Sequence, residues 1–132
     1  MSNDAIYCKV IFLGEGGTGK TSIINNILGK DFEVETIITA ASGGSEKINM
    51  KIDNKNLNVD IWDTNGQERF RAIAKLNYKK ADVAILVYDI TNLNSFKEIK
   101  NYWVKQIKED CEENLSKIFF IFYSSWNYWK QK

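Results

Sequence analysis

Apolar residues along the chain switch between short continuous runs and positions spaced three and four apart. That is the pattern of buried strands interleaved with amphipathic helices. Tyr7 to Leu13 is nearly continuous in apolar residues, as a strand covered on both faces would be. Gly14 to Gly19 is a glycine-rich turn, and Lys20 to Leu28 reads as a helix stopped by Gly29. Asp31 to Glu46 has no clear period, and Ser42-Gly43-Gly44 is too flexible for an element interior. Lys47 to Asp53 and Leu57 to Asp63 alternate as the two strands of a hairpin around Asn54-Lys55. Glu68 to Lys79 predicts a helix and Val83 to Asp89 a second buried strand. Ser95 to Glu113 predicts a longer helix, opened by Ser95-x-x-Glu98 as a capping box. Its apolar face is Phe96, Ile99, Trp103 and Ile107. Lys117 to Tyr123 is a last strand, and Ser124 to Lys132 follows as a tail. The alternation predicts an α/β fold, a largely parallel sheet with helices on both faces.

Composition narrows the chemistry. The chain has 132 residues, enough for one domain, placed here at residues 1–123 with 124–132 as an atypical tail. Hydrophobic residues are 44% and charged residues 27%, as in ordinary globular proteins. Eighteen Lys+Arg against seventeen Asp+Glu leave a net charge of +1, which argues against nucleic acid as a bulk electrostatic partner. Histidine is absent, so a His triad, a His-ligated zinc site and a His general base are excluded. Cys8 and Cys111, far apart, are neither a disulfide framework nor a metal cluster and suit a reducing, cytoplasmic compartment. No apolar run is long enough to span a bilayer, and the first residues lack the layout of a signal peptide.

The segment Gly14-Glu-Gly-Gly-Thr-Gly-Lys20-Thr21 satisfies G-x-x-x-x-G-K-[ST] in full. A turn of small residues lets successive backbone N–H groups close around a phosphate, with the positive end of the following helix beneath it. Lys20 would bridge the β- and γ-phosphates, and the Thr21 hydroxyl would bind Mg²⁺. The bland alternative is a glycine turn between a strand and a helix. The flanking strand and helix are the context that the phosphate reading requires. A second segment, Trp62-Asp63-Thr64-Asn65-Gly66-Gln67-Glu68-Arg69-Phe70, follows the hairpin strand directly. Asp63 at a strand end beside a phosphate loop can hold Mg²⁺ through a water. Gly66 allows a backbone N–H to approach the γ-phosphate, and Gln67 can orient an attacking water.

Together these segments resemble the Ras superfamily of small GTPases, and Trp62 to Phe70 is similar to the Rab branch, whose usual stretch is W-D-T-A-G-Q-E-R-F. Only Asn65 departs. Leu86-Val-Tyr-Asp-Ile-Thr91, Ser95-Phe96 and Asn77-Tyr-Lys-Lys-Ala-Asp82 extend the resemblance, which runs from about Tyr7 to Phe122. It implies the three-layer fold of the P-loop NTPases, mostly parallel with one antiparallel edge strand. It also implies a nucleotide switch binding GTP or GDP with Mg²⁺, hydrolysing GTP slowly, serving vesicle trafficking and acting as a monomer. The implied nucleotide-binding residues are Gly14, Gly16, Gly17, Thr18, Gly19, Lys20, Thr21, Ser22, Phe32, Thr39, Asp63 and Gly66. Thr21, Thr39 and Asp63 are the implied metal residues, and Gln67 the catalytic one. Phe32 takes the place of the family's guanine-stacking aromatic, against a bland reading as a packed loop aromatic. Counting forward from Phe32 puts the metal threonine at Thr39, while counting back from Trp62 puts it at Ala40. One inserted residue near Ser42-Gly43-Gly44 reconciles the two, with Thr36 as the alternative. The implied switch segments, Asp31 to Ser45 and Gly66 to Lys79, would meet effectors, exchange factors and activators.

The end departs from the family. Small GTPases read guanine with N-K-x-D after the fifth strand, but here Asn127 is followed by Tyr128 and no aspartate occurs beyond Asp110. The sixth strand, the closing helix and the prenylated cysteines of Rabs have no counterpart in these residues. The rival expectation is a non-catalytic Rab-derived module that binds nucleotide weakly or not at all. A P-loop ATPase or small kinase is a third.

Overall fold

The first strand sets the frame. In this computed structural model, residues 4–29, 44–64, 66, 70–110 and 117–123 are described, the last segment through its backbone and the Phe119 side chain. Strand β1, Ile6–Leu13, carries alternating side chains that feed both faces of the sheet. Ile11 and Leu13 enter one core and Phe12 the other, which is why the strand is apolar without interruption from Val10 to Leu13, after Lys9. After the phosphate-loop turn comes helix α1, Lys20–Ile27, close to the predicted span and followed by Gly29 in the left-handed region.

Strands β2, Gly44–Ile52, and β3, Lys55–Asp63, form the predicted hairpin with shifted boundaries. Its two turn residues are Asp53 and Asn54, both at positive φ, rather than Asn54-Lys55. A two-residue hairpin of this hand needs positive φ at both central positions, which Asp and Asn tolerate better than Lys. β2 also begins at Gly44, inside the segment expected to be irregular. Its cross-strand pairing to Asp63 supplies the order that its sequence lacks.

Helix α2, Arg71–Tyr78, is followed by β4, Val83–Asp89, which matches its predicted span. The next helix starts earlier than Ser95. Asn92 is the N-cap of α3, Leu93–Glu98, and its side chain accepts a hydrogen bond from the Ser95 amide. A π-helical turn, Ile99–Trp103, then leads into α4, Val104–Asp110. Ile99, Trp103 and Ile107 are buried as predicted, whereas Phe96 is exposed, its ring against Tyr88. Strand β5, Lys117–Tyr123, pairs parallel with β4.

The sheet order is β2-β3-β1-β4-β5, parallel except for the antiparallel β2 edge. Ile23 and Ile24 of α1, with Leu28 just after it, cover one face with Phe12, Val59, Ile61 and Val87. Ala74 and Tyr78 of α2, with Ile99, Trp103 and Ile107, cover the other. This is the expected three-layer arrangement. Among the described residues, no helix is long and apolar enough to cross a membrane.

Candidate phosphate-binding site

The carboxyl ends of β1 and β3 lie side by side, with Ile11 opposite Trp62 in the ladder. The turn leaving β1 and the acid ending β3 therefore meet at one edge of the sheet. That is where open α/β sheets place their ligands. The Thr64 hydroxyl, buried, donates to the Phe12 carbonyl at 2.6 Å and locks the two strand ends together.

Gly14 leaves β1 at φ +143, and a β-carbon there would overlap the Val87 carbonyl oxygen. Only glycine reconciles that backbone with the neighbouring strand. Gly16 and Gly17 form the exposed tip of the loop. Thr18 is buried, its hydroxyl donating to the Glu15 carbonyl at 2.9 Å. Gly19 is the N-cap of α1 and has no side-chain oxygen, so the first-turn amides carry no side-chain cap. Such amides, at the positive end of a helix dipole, suit an anion. Lys20, Thr21 and Ser22 open that helix.

Lys20 is buried at 5% exposure, its ammonium donating to the carbonyls of Gly14 at 3.0 Å and Glu15 at 2.7 Å. Burial pushes its pKa down to about 8, against the opposing pull of Asp63 and Glu15. A cation held dry against neutral carbonyls is short of negative charge, and phosphate oxygens would supply it.

The Thr21 hydroxyl donates to Asp63 at 2.5 Å, so two of the three predicted metal residues converge from α1 and β3. Among the described residues, no group of three acidic or cysteine side chains could hold a metal ion. Two hard oxygens at a phosphate loop nonetheless suit Mg²⁺, which takes one or two protein ligands, with phosphate oxygens and waters completing its shell. Gly66 lies against this loop. A β-carbon on it would overlap the Gly14 carbonyl oxygen and the backbone of Glu15, and would meet the Gly16 amide nitrogen at 2.6 Å. Phe32, Thr36, Thr39, Asn65 and Gln67 lie outside the described residues.

One group at this edge was not legible from the motifs. Glu15, a variable position of the phosphate loop, accepts from Arg71 at 2.8 Å and from the Trp103 indole at 3.0 Å on the same oxygen, Oε1. Arg71 also donates to Glu98 at 2.9 Å, and its guanidinium lies 3.8 Å from the Tyr102 ring centre. The one available signal was the acid itself: a carboxylate inside a loop built for anions needs a cation nearby.

The comparisons agree with this geometry. The family model described as the Ras family matches residues 9–121. Ras-related protein Rab-21 of Bos taurus is 45% identical over 102 residues, covering 76% of this chain and 45% of that protein. Rab-21 of Dictyostelium discoideum is 41% identical over 108 residues, covering 82% and 50%. GTP-binding protein ypt3 of Schizosaccharomyces pombe is 35% identical over 107 residues, covering 81% and 49%. The chain thus spans about half the length of the curated relatives it matches. With a phosphate loop, a strand-end aspartate paired to its threonine and a family match across nearly all of the sheet, the chain belongs to the Ras family of small GTPases, in its Rab branch.

Proposed function

We propose that the chain is a Rab-type switch that binds GTP and GDP with Mg²⁺ and hydrolyses GTP slowly, with the family's role in vesicle trafficking. The observation that carries this reading is the buried Lys20 ammonium inside a glycine loop whose helix presents Thr21 to Asp63 at 2.5 Å. In this reading the loop from Gly14 to Gly19 and the first turn of α1, with Thr21 and Ser22, bind the β-phosphate through backbone N–H groups. Lys20 exchanges its carbonyl partners for β- and γ-phosphate oxygens. Thr21 and Asp63, with Thr39 from the first switch segment, would hold Mg²⁺, Asp63 through a water. The bound metal supplies positive charge against the charge developing on the transferred phosphoryl group. Phe32 stacks on guanine, Gly66 offers its amide to the γ-phosphate and Gln67 orients the attacking water. Unassisted turnover on the order of 10⁻⁴ to 10⁻³ per second is expected for such a site. The exposed Gly16 leaves room for an activator's arginine. The setting is cytoplasmic, with peripheral membrane association as the family's habit. Effectors, exchange factors and activators would use Asp31 to Ser45 and Gly66 to Lys79.

A second reading, a Rab-derived module with weak or no nucleotide binding, is favoured by one feature: Ser124 to Lys130 carries no N-K-x-D after β5. A bidentate carboxylate contact to guanine is worth a large discrimination against adenine. Equilibrium titration with labelled GDP, GTP and ATP in Mg²⁺ separates the readings. Sub-micromolar, guanine-selective binding that Lys20→Ala abolishes is expected of the switch. Binding weaker than that, or unaffected by Lys20→Ala, sinks it, and ATP preference would revive the ATPase reading.

A further inference from the structure

Glu15 sits where a phosphate-binding loop least needs a negative charge, yet one of its carboxylate oxygens, Oε1, accepts from two donors, Arg71 and Trp103. Its side chain is 21% exposed and that of Arg71 16%, so the pair is only weakly screened by water. Arg71 belongs to the first residue of α2, 56 residues further along the chain, and Trp103 lies 88 residues away in the π turn. One Arg71 nitrogen, Nη2, bridges Glu15 and Glu98 while the guanidinium carbon lies 3.8 Å from the Tyr102 ring centre. Burial works against the charge of Arg71, but its hydrogen bonds to Glu98 and Glu15 more than offset this and raise its pKa. Charge-assisted bonds of this kind are about twice as strong as neutral ones, and lysine cannot reproduce the planar fork. Independently, Gly66 packs on the Gly14 carbonyl and the Glu15–Gly16 backbone, so the chain entering α2 already touches the loop at a second point.

We propose that Glu15 is a positioning residue, a latch through which Arg71 ties the phosphate loop to the start of α2, so that a change at the phosphates is passed to α2 as a rigid displacement. This rests on the nucleotide reading above. The latch holds the loop side of the site at a fixed height beneath Gly66, and Trp103 keeps the Glu15 carboxylate turned toward α2 and away from the phosphates. Arg71 meanwhile neutralises a carboxylate that would otherwise repel the ligand.

The test uses the full chain as wild type, Glu15→Gln, Arg71→Gln, the charge-preserving Arg71→Lys, and the double variant Glu15→Gln/Arg71→Gln. Two readouts are taken: single-turnover hydrolysis of bound GTP, and hydrogen exchange of the α2 amides. The expected result is about a tenfold loss of hydrolysis and about tenfold faster α2 exchange in Glu15→Gln and in Arg71→Gln. Arg71→Lys should recover part of each loss, and the double variant should be no worse than the poorer single one. A merely structural contact would lower the melting temperature while bound GTP still turned over at the wild-type rate. Hydrolysis within twofold of wild type in both single variants, or losses that multiply in the double variant, would overturn the latch. A wild-type chain that binds no nucleotide overturns the functional reading instead. In that case the exchange experiment decides alone, and unchanged α2 exchange in Glu15→Gln removes the latch as well.

Discussion

Lys20 is the residue whose physics is most exposed to measurement. Its pKa of about 8 lies below the ordinary lysine value because burial penalises the ammonium. Between pH 8 and 10.5 the unfolded chain therefore binds more protons at this position than the folded one, and folding stability rises with pH through that window. The contribution is about 3 kcal/mol in all. It is readable as the change with pH in the unfolding free-energy difference between the nucleotide-free wild type and Lys20→Met. Nucleotide affinity should run the other way. Phosphate stabilises the charged lysine, so binding is strongest below pH 8 and weakens, approaching tenfold per pH unit, as the pH climbs above it. Titration calorimetry from pH 7 to 9.5 checks this, and a flat profile would mean that the ammonium does not meet the phosphates. Gly14 makes the complementary case for backbone. At φ +143, against the Val87 carbonyl, Gly14→Ala should cost about 3 kcal/mol in chemical denaturation.

At the scale of elements, the helix after β4 shows how a local pattern can be right in kind and wrong in register. Ser95-x-x-Glu98 resembles a capping box, but Asn92 holds the cap, one turn earlier. Ser95 is buried instead, with its hydroxyl accepting from the Asp89 amide at 3.0 Å and donating to the Asn92 carbonyl at 2.7 Å. Asn92→Ala should accordingly cost about 1 kcal/mol in urea unfolding, the usual value of a lost cap. The π turn has a similar logic. Residues four apart advance by about 40° more than a full turn in an α-helix, so Ile99, Trp103 and Ile107 would drift off a common face. The wider turn over Ile99–Trp103 counters that drift and keeps all three buried, and it places the Trp103 indole within reach of Glu15.

For the whole molecule, the sheet order puts β1 between β3 and β4, so both strands that deliver site residues are hydrogen-bonded to the same or adjacent ladders. β2 is an outer strand and mostly exposed. Hydrogen exchange should therefore be slowest in β1 and β4 and fastest in the outer row of β2, following burial of apolar surface. Fast exchange in β1 would contradict a site anchored on the most stable part of the fold.

Sequence alone determined whatever rests on short-range rules. The glycine spacing of Gly14 to Gly19 dictates a tight turn between β1 and α1, the apolar period dictates strand or helix, and the stretch from Trp62 marks the acid that meets Thr21. Element ends were less legible, because Asp53-Asn54, Gly44 and Asn92 owe their roles to cross-strand pairing and to packing of the following turn. The tertiary structure alone decided that Glu15 would face Arg71 and Trp103. No local period encodes an encounter across 56 and 88 residues, which exists only because α2 and the π turn pack on one face of the sheet beside the loop.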